Sequence, residues 1–326
     1  MFGVGLDSYG DFFKQYRERQ YPYTRGFDIT STNAHNTFIQ HFATGGIFVG
    51  TLYVLILAIV VFKIFKFMKT IRSAFSVKES NQYTFQIISL FSALIAFHAQ
   101  SFVSIDNLGI GILGWFLTAS ILGCLEIIRK SEVSETFRTV ANTKAEKKSL
   151  LQIVVSILAF IPALLLVTKL YEAETSFVKV SNLKTDSNSD LNLYKSQINN
   201  VLNQNLLEPA LQVALAYKFA NSGLPNDASN LLDKVLTSNP RNPDALRLSA
   251  QLSETKRDFT SAIKTREWIK KVDPWNLNNL YNLGVDYSSI GNSAKAIENF
   301  QFVANSGTQW PEVKASADSL NKIKTN

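Results

Sequence analysis

Four stretches of the chain carry no charged side chain. Phe42 to Phe62 runs 21 residues, Ser80 to Ile105 runs 26, Asn107 to Leu125 runs 19 and Ser149 to Thr168 runs 20. At about 1.5 Å of rise per residue, each is long enough to cross the roughly 30 Å hydrocarbon core of a bilayer as a helix. A helix on the surface of a soluble domain carries an apolar stripe opposite a polar face. These four blocks show no polar face, so the pattern predicts four membrane-spanning helices over residues 42–170.

Beyond the fourth block the pattern changes. Thr185 to Asn192 is rich in Ser, Asn and Asp, which suits a linker and helical connector over 171–204. From about residue 205 small residues recur at a fixed interval: Ala228, Ala262 and Ala296 are 34 apart, as are Ala216, Ala250 and Gly284, and Pro240 and Pro274. Small side chains at a fixed interval fit the close approach of two helices in a hairpin. A proline after the second helix needs no backbone N–H there. Leu215, Phe219, Leu232, Val235, Leu246, Ile269, Leu280, Leu283, Tyr287, Phe300 and Val303 supply apolar faces for stacking, while Ser249, Ser253 and Arg266 stand where apolar or aromatic residues are expected. The pattern resembles the tetratricopeptide repeat over about Pro209 to Trp310. The expected fold is all-α: multi-pass transmembrane helices over 42–170, then a tetratricopeptide-like helical-hairpin array over 205–326. Such an array either offers a concave face to a peptide or protein partner or caps the membrane domain.

Charge assigns a direction to the spans. Lys63, Lys66, Lys69, Arg72 and Lys78 fill the loop after the first block, and Arg129, Lys130, Arg138, Lys144, Lys147 and Lys148 fill the loop after the third. Ser104 to Leu108, between the second and third, has no basic residue. Basic loops stay in the cytoplasm, so residues 1–41, the Asp106 turn and everything after about Lys169 are expected outside. The formal charge of +7 is then a topological signal rather than a nucleic-acid footprint. An external N-terminal segment with no exporting sequence ahead of it implies further spans upstream. Cys124, the single cysteine, lies inside the third block and forms no intrachain disulfide.

Candidate chemistry gathers on the expected outer side. Residues 1–41 hold Lys14, Arg17, Arg19 and Arg25 among Tyr9, Tyr16, Tyr21 and Tyr23. Guanidinium groups on the translocated side run against the topological bias, and their planar fork suits a pyrophosphate. Asp7, Asp11, Glu18 and Asp28 could equally balance them on a solvated loop. His35 immediately precedes the first span, where an imidazole could act as a base or hydrogen-bond donor. His41 and His98 are competing candidates, and three scattered histidines without Cys or carboxylate spacing predict no metal site. Asp106 is the sole acid of its turn, with helix capping as its plainer role.

Gly3 to Gly10, the arginines, then Ala34-His35-Asn36-Thr37-Phe38-Ile39-Gln40, Gly45-Gly46 and a span resemble the O-antigen ligase and polymerase family. His98 to Asp106, running into Gly109 to Leu117, resembles a later part of the same domain, so the likeness covers roughly residues 1–130. The resemblance implies an inner-membrane glycosyltransferase that moves a polyprenyl-pyrophosphate-linked glycan to a lipid, glycan or protein acceptor at the outer face, without nucleotide sugar, metal or other cofactor. It places the family's histidine on His35, its external arginines on Arg17 or Arg25, and an external carboxylate on Asp106. Guanidinium groups would stabilise charge building on the leaving pyrophosphate. Family members have more spans, so the resemblance points to a truncated ligase. The competing expectation is a non-catalytic membrane-anchored scaffold whose repeats recruit envelope-assembly partners.

Overall fold

The computed structural model describes residues 2–5, 8–74, 77–104, 108–134, 142–182, 188–202 and 208–325. Among these residues every regular element is an α-helix: α1 (Tyr9–Tyr16), α2 (Gln20–Arg25), α3 (Thr37–Ala74), α4 (Val77–Ser101), α5 (Leu108–Ser134), α6 (Asn142–Ser181), α7 (Asn188–Leu202), α8 (Pro209–Asn221), α9 (Pro225–Ser238), α10 (Pro243–Thr255), α11 (Phe259–Val272), α12 (Leu277–Ser289), α13 (Ser293–Ala304) and α14 (Pro311–Thr325). They form two compact units, Met1–Gly10 with Ser31–Ser156, and Asp11–Thr30 with Ile157–Asn326.

In the first unit, Thr37–Thr70, Gln82–Ser101 and Ile110–Ile128 are long and apolar enough to cross a membrane. Each helix buries one stripe against the others: Val60 and Ile64 of α3, Ile87 and Leu94 of α4, and Ile121, Leu125 and Ile128 of α5. Gly114 lets α5 approach α4, since a Cβ there would stand 2.4 Å from the Phe97 ring. Phe48, Phe62, Phe65, Phe85 and Phe116 point outward and are exposed. Water would penalise so large an apolar surface, whereas hydrocarbon would not. The fourth predicted span is helical within α6, but side chains 142–153, 156 and 159 lie outside those described.

The glycines near the start of α3 have a structural purpose. Gly46 adopts φ 72° and ψ −171°, which breaks α3 inside its apolar run. The Ala43 and Thr44 carbonyls accept the N–H groups of Val4 and Gly5 at 2.8 and 3.0 Å. An extended segment thus supplies donors where the helix is interrupted, as irregular backbone among apolar helices requires. Gly3 fits only because it has no Cβ, which would fall 2.1 Å from the Thr44 oxygen.

In the second unit the helices are periodic. α8, α10, α12 and α14 begin at 209, 243, 277 and 311, and α9, α11 and α13 at 225, 259 and 293, so each series advances by 34. Three-residue turns join α8 to α9, α10 to α11 and α12 to α13, which sends each second helix back along the first. Ala216, Ala228, Ala250, Ala262 and Ala296 are completely buried, and a Cβ on Gly284 would lie 2.6 Å from the Phe300 ring. All eleven apolar residues predicted to stack are buried. Asn242, Asp258, Asn276 and Asn292 cap α10 to α13 by accepting the N–H of Ala245, Ser261, Asn279 and Lys295. The turns place Gly223, Arg257 and Gly291 in the left-handed region, again 34 apart.

Arg266, in a position expected to be apolar, is 3% exposed. Its Nε lies 3.1 Å from Asp286 Oδ2 and it pairs with Glu254, while Nη1 donates to Asn279 Oδ1 at 3.3 Å. The substitution therefore brings its own buried partners from α10 and α12, which is what allows a guanidinium to replace a hydrocarbon.

Candidate functional site

The Ala-His-Asn block forms the mouth of α3. Asn36 precedes the helix, and its Oδ1 accepts the Ile39 N–H at 3.0 Å, an N-cap arrangement. Gln40 reaches back with Oε1 to accept the Ala34 N–H at 2.8 Å. Asn36 Nδ2 donates to the Phe102 carbonyl at 2.9 Å and Thr37 Oγ1 to the Ser104 carbonyl at 3.4 Å, which ties the mouth of α3 to the chain leaving α4. Between these anchors His35 has φ 49°, a left-handed backbone that histidine tolerates better than most side chains. Its N–H donates to Asn33 Oδ1 at 3.1 Å, and the residue is exposed. The loop thus presents an imidazole outward at one end of the apolar helices.

Just inside lies an aromatic cluster. Tyr53 is buried, with its hydroxyl 3.5 Å from His98 Nδ1 and its ring 4.3 Å from that of His41. Phe38 stacks on Phe102 at 4.5 Å, and Trp115 of α5 meets the Tyr53 ring at 6.1 Å. These side chains fix how α3, α4 and α5 meet beneath His35.

Residues 1–41, grouped on sequence as one external segment, divide between the two units. Arg17 and Arg25 belong to the second, where Asp11–Thr30 packs on the periodic helices. Arg17 is 4% exposed. Its Nη2 pairs with Asp273 Oδ1 at 2.7 Å and its Nη1 donates to the Ile29 carbonyl at 2.8 Å. In this arrangement the guanidinium is engaged by protein groups and not presented to a ligand. Arg19 likewise lies over Tyr23 and Trp275. Trp310 Nε1 donates to the Tyr23 carbonyl at 2.9 Å, and Tyr23 and Phe27 join Leu277, Leu280 and Val303 in one apolar cluster. Arg25 remains exposed. Asp106 lies outside the described residues.

Burial pushes the Asp273 carboxyl above its usual range, against the pull of Arg17 and Lys14. Burial also pushes the Lys14 ammonium below its usual range. Lys14 was named on sequence only as one of the basic residues of the 1–41 segment, and Asp273, Asn276 and the 34-residue series of helix caps were not singled out by sequence reasoning. Repeating Asn or Asp at 242, 258, 276 and 292 was the available signal for the caps; nothing local marks Lys14 as buried. Among the described residues no group of three or more His, Cys, Asp or Glu could hold a metal ion.

No protein-family model, curated protein or solved structure matches the chain.

Proposed function

We propose that this chain is an O-antigen-ligase-type glycosyltransferase of the cytoplasmic membrane. It transfers a polyprenyl-pyrophosphate-linked glycan to an acceptor at the outer face, with His35 as the working group and the 34-residue hairpins as a tetratricopeptide-like array on the same external side. The observation that carries this reading is His35 itself: exposed, in a left-handed backbone, fixed by Asn33, Asn36 and Gln40 at the mouth of an apolar helix. A lipid-linked donor brings its reacting phosphate to that boundary. An imidazole there can take the proton of an acceptor hydroxyl as the glycosyl bond to pyrophosphate breaks. Arg25 and Asp106 keep their proposed roles on pyrophosphate and glycan. Arg17 is reassigned to holding the Asp11–Thr30 segment, because Asp273 already neutralises it.

That engagement of Arg17 favours a second reading, a membrane-anchored scaffold without catalysis. Complementation of a ligase-deficient strain separates the two. His35→Asn tolerates the left-handed backbone and retains a polar side chain, so loss of surface glycan with unchanged protein level is the expected outcome. Equal rescue by His35→Asn and His35→Ala would leave only the scaffold.

A further inference from the structure

Within the first unit an open groove of about 430 Å³ is lined by residues of α3 and α5, inside the roughly 300–1,000 Å³ range of pockets that hold a small ligand. Its apolar lining belongs to the core of the helices: Leu125 is buried with Val60, Ile64 and Ile121, and Phe67 and Leu122 pack on the same cluster. Lys63, Lys66 and Thr70 line the groove from α3. Their i, i+3, i+7 spacing sets them on one face of that helix.

The groove lies at the level where the charge-free runs end. Lys63 directly follows the 21-residue run Phe42 to Phe62, and Glu126 directly follows the 19-residue run Asn107 to Leu125. Runs of that length match the roughly 30 Å hydrocarbon core, so the first charged side chain after each stands near the plane of the lipid phosphates. His35 precedes the opposite end of α3. Lys63 and Lys66 are exposed, and among the described residues neither ammonium forms a hydrogen bond or an ion pair. Glu126 also lines the groove and is exposed. Set against the two lysines, its carboxylate leaves an excess of one positive charge, which a single phosphodiester neutralises.

We propose that this groove is a binding site for an anionic phospholipid with one phosphodiester, its phosphate held by the Lys63 and Lys66 ammonium groups and its acyl chain laid along Phe67, Leu122 and Leu125. Each ammonium supplies up to three donors, while the lysine stem lies along apolar surface. Basic pockets between membrane helices suit lipid headgroups for this reason. The acyl chain covers apolar lining that water would otherwise wet at a cost. A free phosphate meets the lysines alone, so the apolar lining selects the lipid. The site is independent of the glycan-transfer reading and uses none of its residues.

The test is native mass spectrometry of the full chain in detergent micelles, titrated with phosphatidylglycerol, phosphatidylethanolamine and phosphatidylcholine of matched acyl chains. The tightest adduct is expected to be one phosphatidylglycerol per chain, formed at a concentration at least about tenfold below that needed for the other two lipids. Lys63→Gln combined with Lys66→Gln changes two exposed positions and should weaken that adduct at least about tenfold, the loss of charge-assisted contacts. Lys69→Gln removes an exposed lysine of α3 outside the groove and should leave the adduct unchanged. Helix content by circular dichroism verifies that the variants fold, and glycerophosphate at matched concentration should not displace the lipid. Equal binding of the three lipids, displacement by glycerophosphate, or a loss with Lys69→Gln as large as with the groove lysines overturns the proposal.

Discussion

Arg17 carries its charge to a place where its side chain has no solvent exposure, opposite an Asp273 carboxylate 4% exposed. Removing one member of such a pair leaves the other buried and uncompensated, which costs about 3–5 kcal/mol. Arg17→Ala should therefore lower the unfolding midpoint of the second unit, read by the fluorescence of Trp310, whose indole donates to the Tyr23 carbonyl. A guanidinium kept for pyrophosphate would instead lose donor affinity with stability unchanged. Asp286 behaves differently. Burial, then repulsion from Glu254, outweighs the pull of Arg266 and raises its carboxyl from 3.8 to about 7. Between those values the folded state holds a proton that the unfolded chain has released, so this group's contribution to stability falls as pH rises through that window and levels off above it. Chemical denaturation at a series of pH values should show that decline, and Asp286→Asn should flatten it.

The turns of the helical pairs show what local strain the array carries. Gly223 and Gly291 occupy the left-handed region at φ 76° and 77°, where glycine meets no penalty, but the equivalent turn uses Arg257 at φ 58°. Arg257→Gly should raise stability by up to about 1 kcal/mol through relief of that strain, partly offset by the greater freedom of glycine when unfolded. A rise in the thermal midpoint is the outcome to measure, and a fall would show that the arginine side chain contributes more than its backbone costs. α3 uses glycine differently. Gly46 breaks the helix, and Gly3 brings the donors of Val4 and Gly5 close enough to satisfy the exposed carbonyls. The Gly45-Gly46 pair and the glycines at 3 and 5 were visible in the sequence as a motif; that they meet was not, because some 40 residues of chain separate them.

For the whole molecule, the expectation drawn from the basic loops is that the chain after the last apolar block lies on the outer side. With Cys124, the lone free thiol, replaced by serine, Ser289→Cys should react with a membrane-impermeant maleimide in spheroplasts without lysis. Labelling only after lysis would move the array to the cytoplasm and remove the topological basis of the glycan-transfer reading.

The apolar runs and the 34-residue recurrence of Ala, Gly and Pro were sufficient to place the long helices and the stacking residues. Both signals are local or periodic: span length follows from rise per residue, and small residues mark where neighbouring helices touch. Asn36 and Gln40 were similarly within reach, since a helix cap bonds to residues only three to six positions away. The fate of the arginines was decided by tertiary structure alone. Arg17 meets Asp273 across 256 residues of sequence, and no local pattern distinguishes a guanidinium that will be buried against a distant carboxylate from one left for a ligand. The same holds for Lys14, whose burial depends on helices more than 200 residues away. Desolvation and pairing, the terms that decide what a charge does, exist only once the chain has folded.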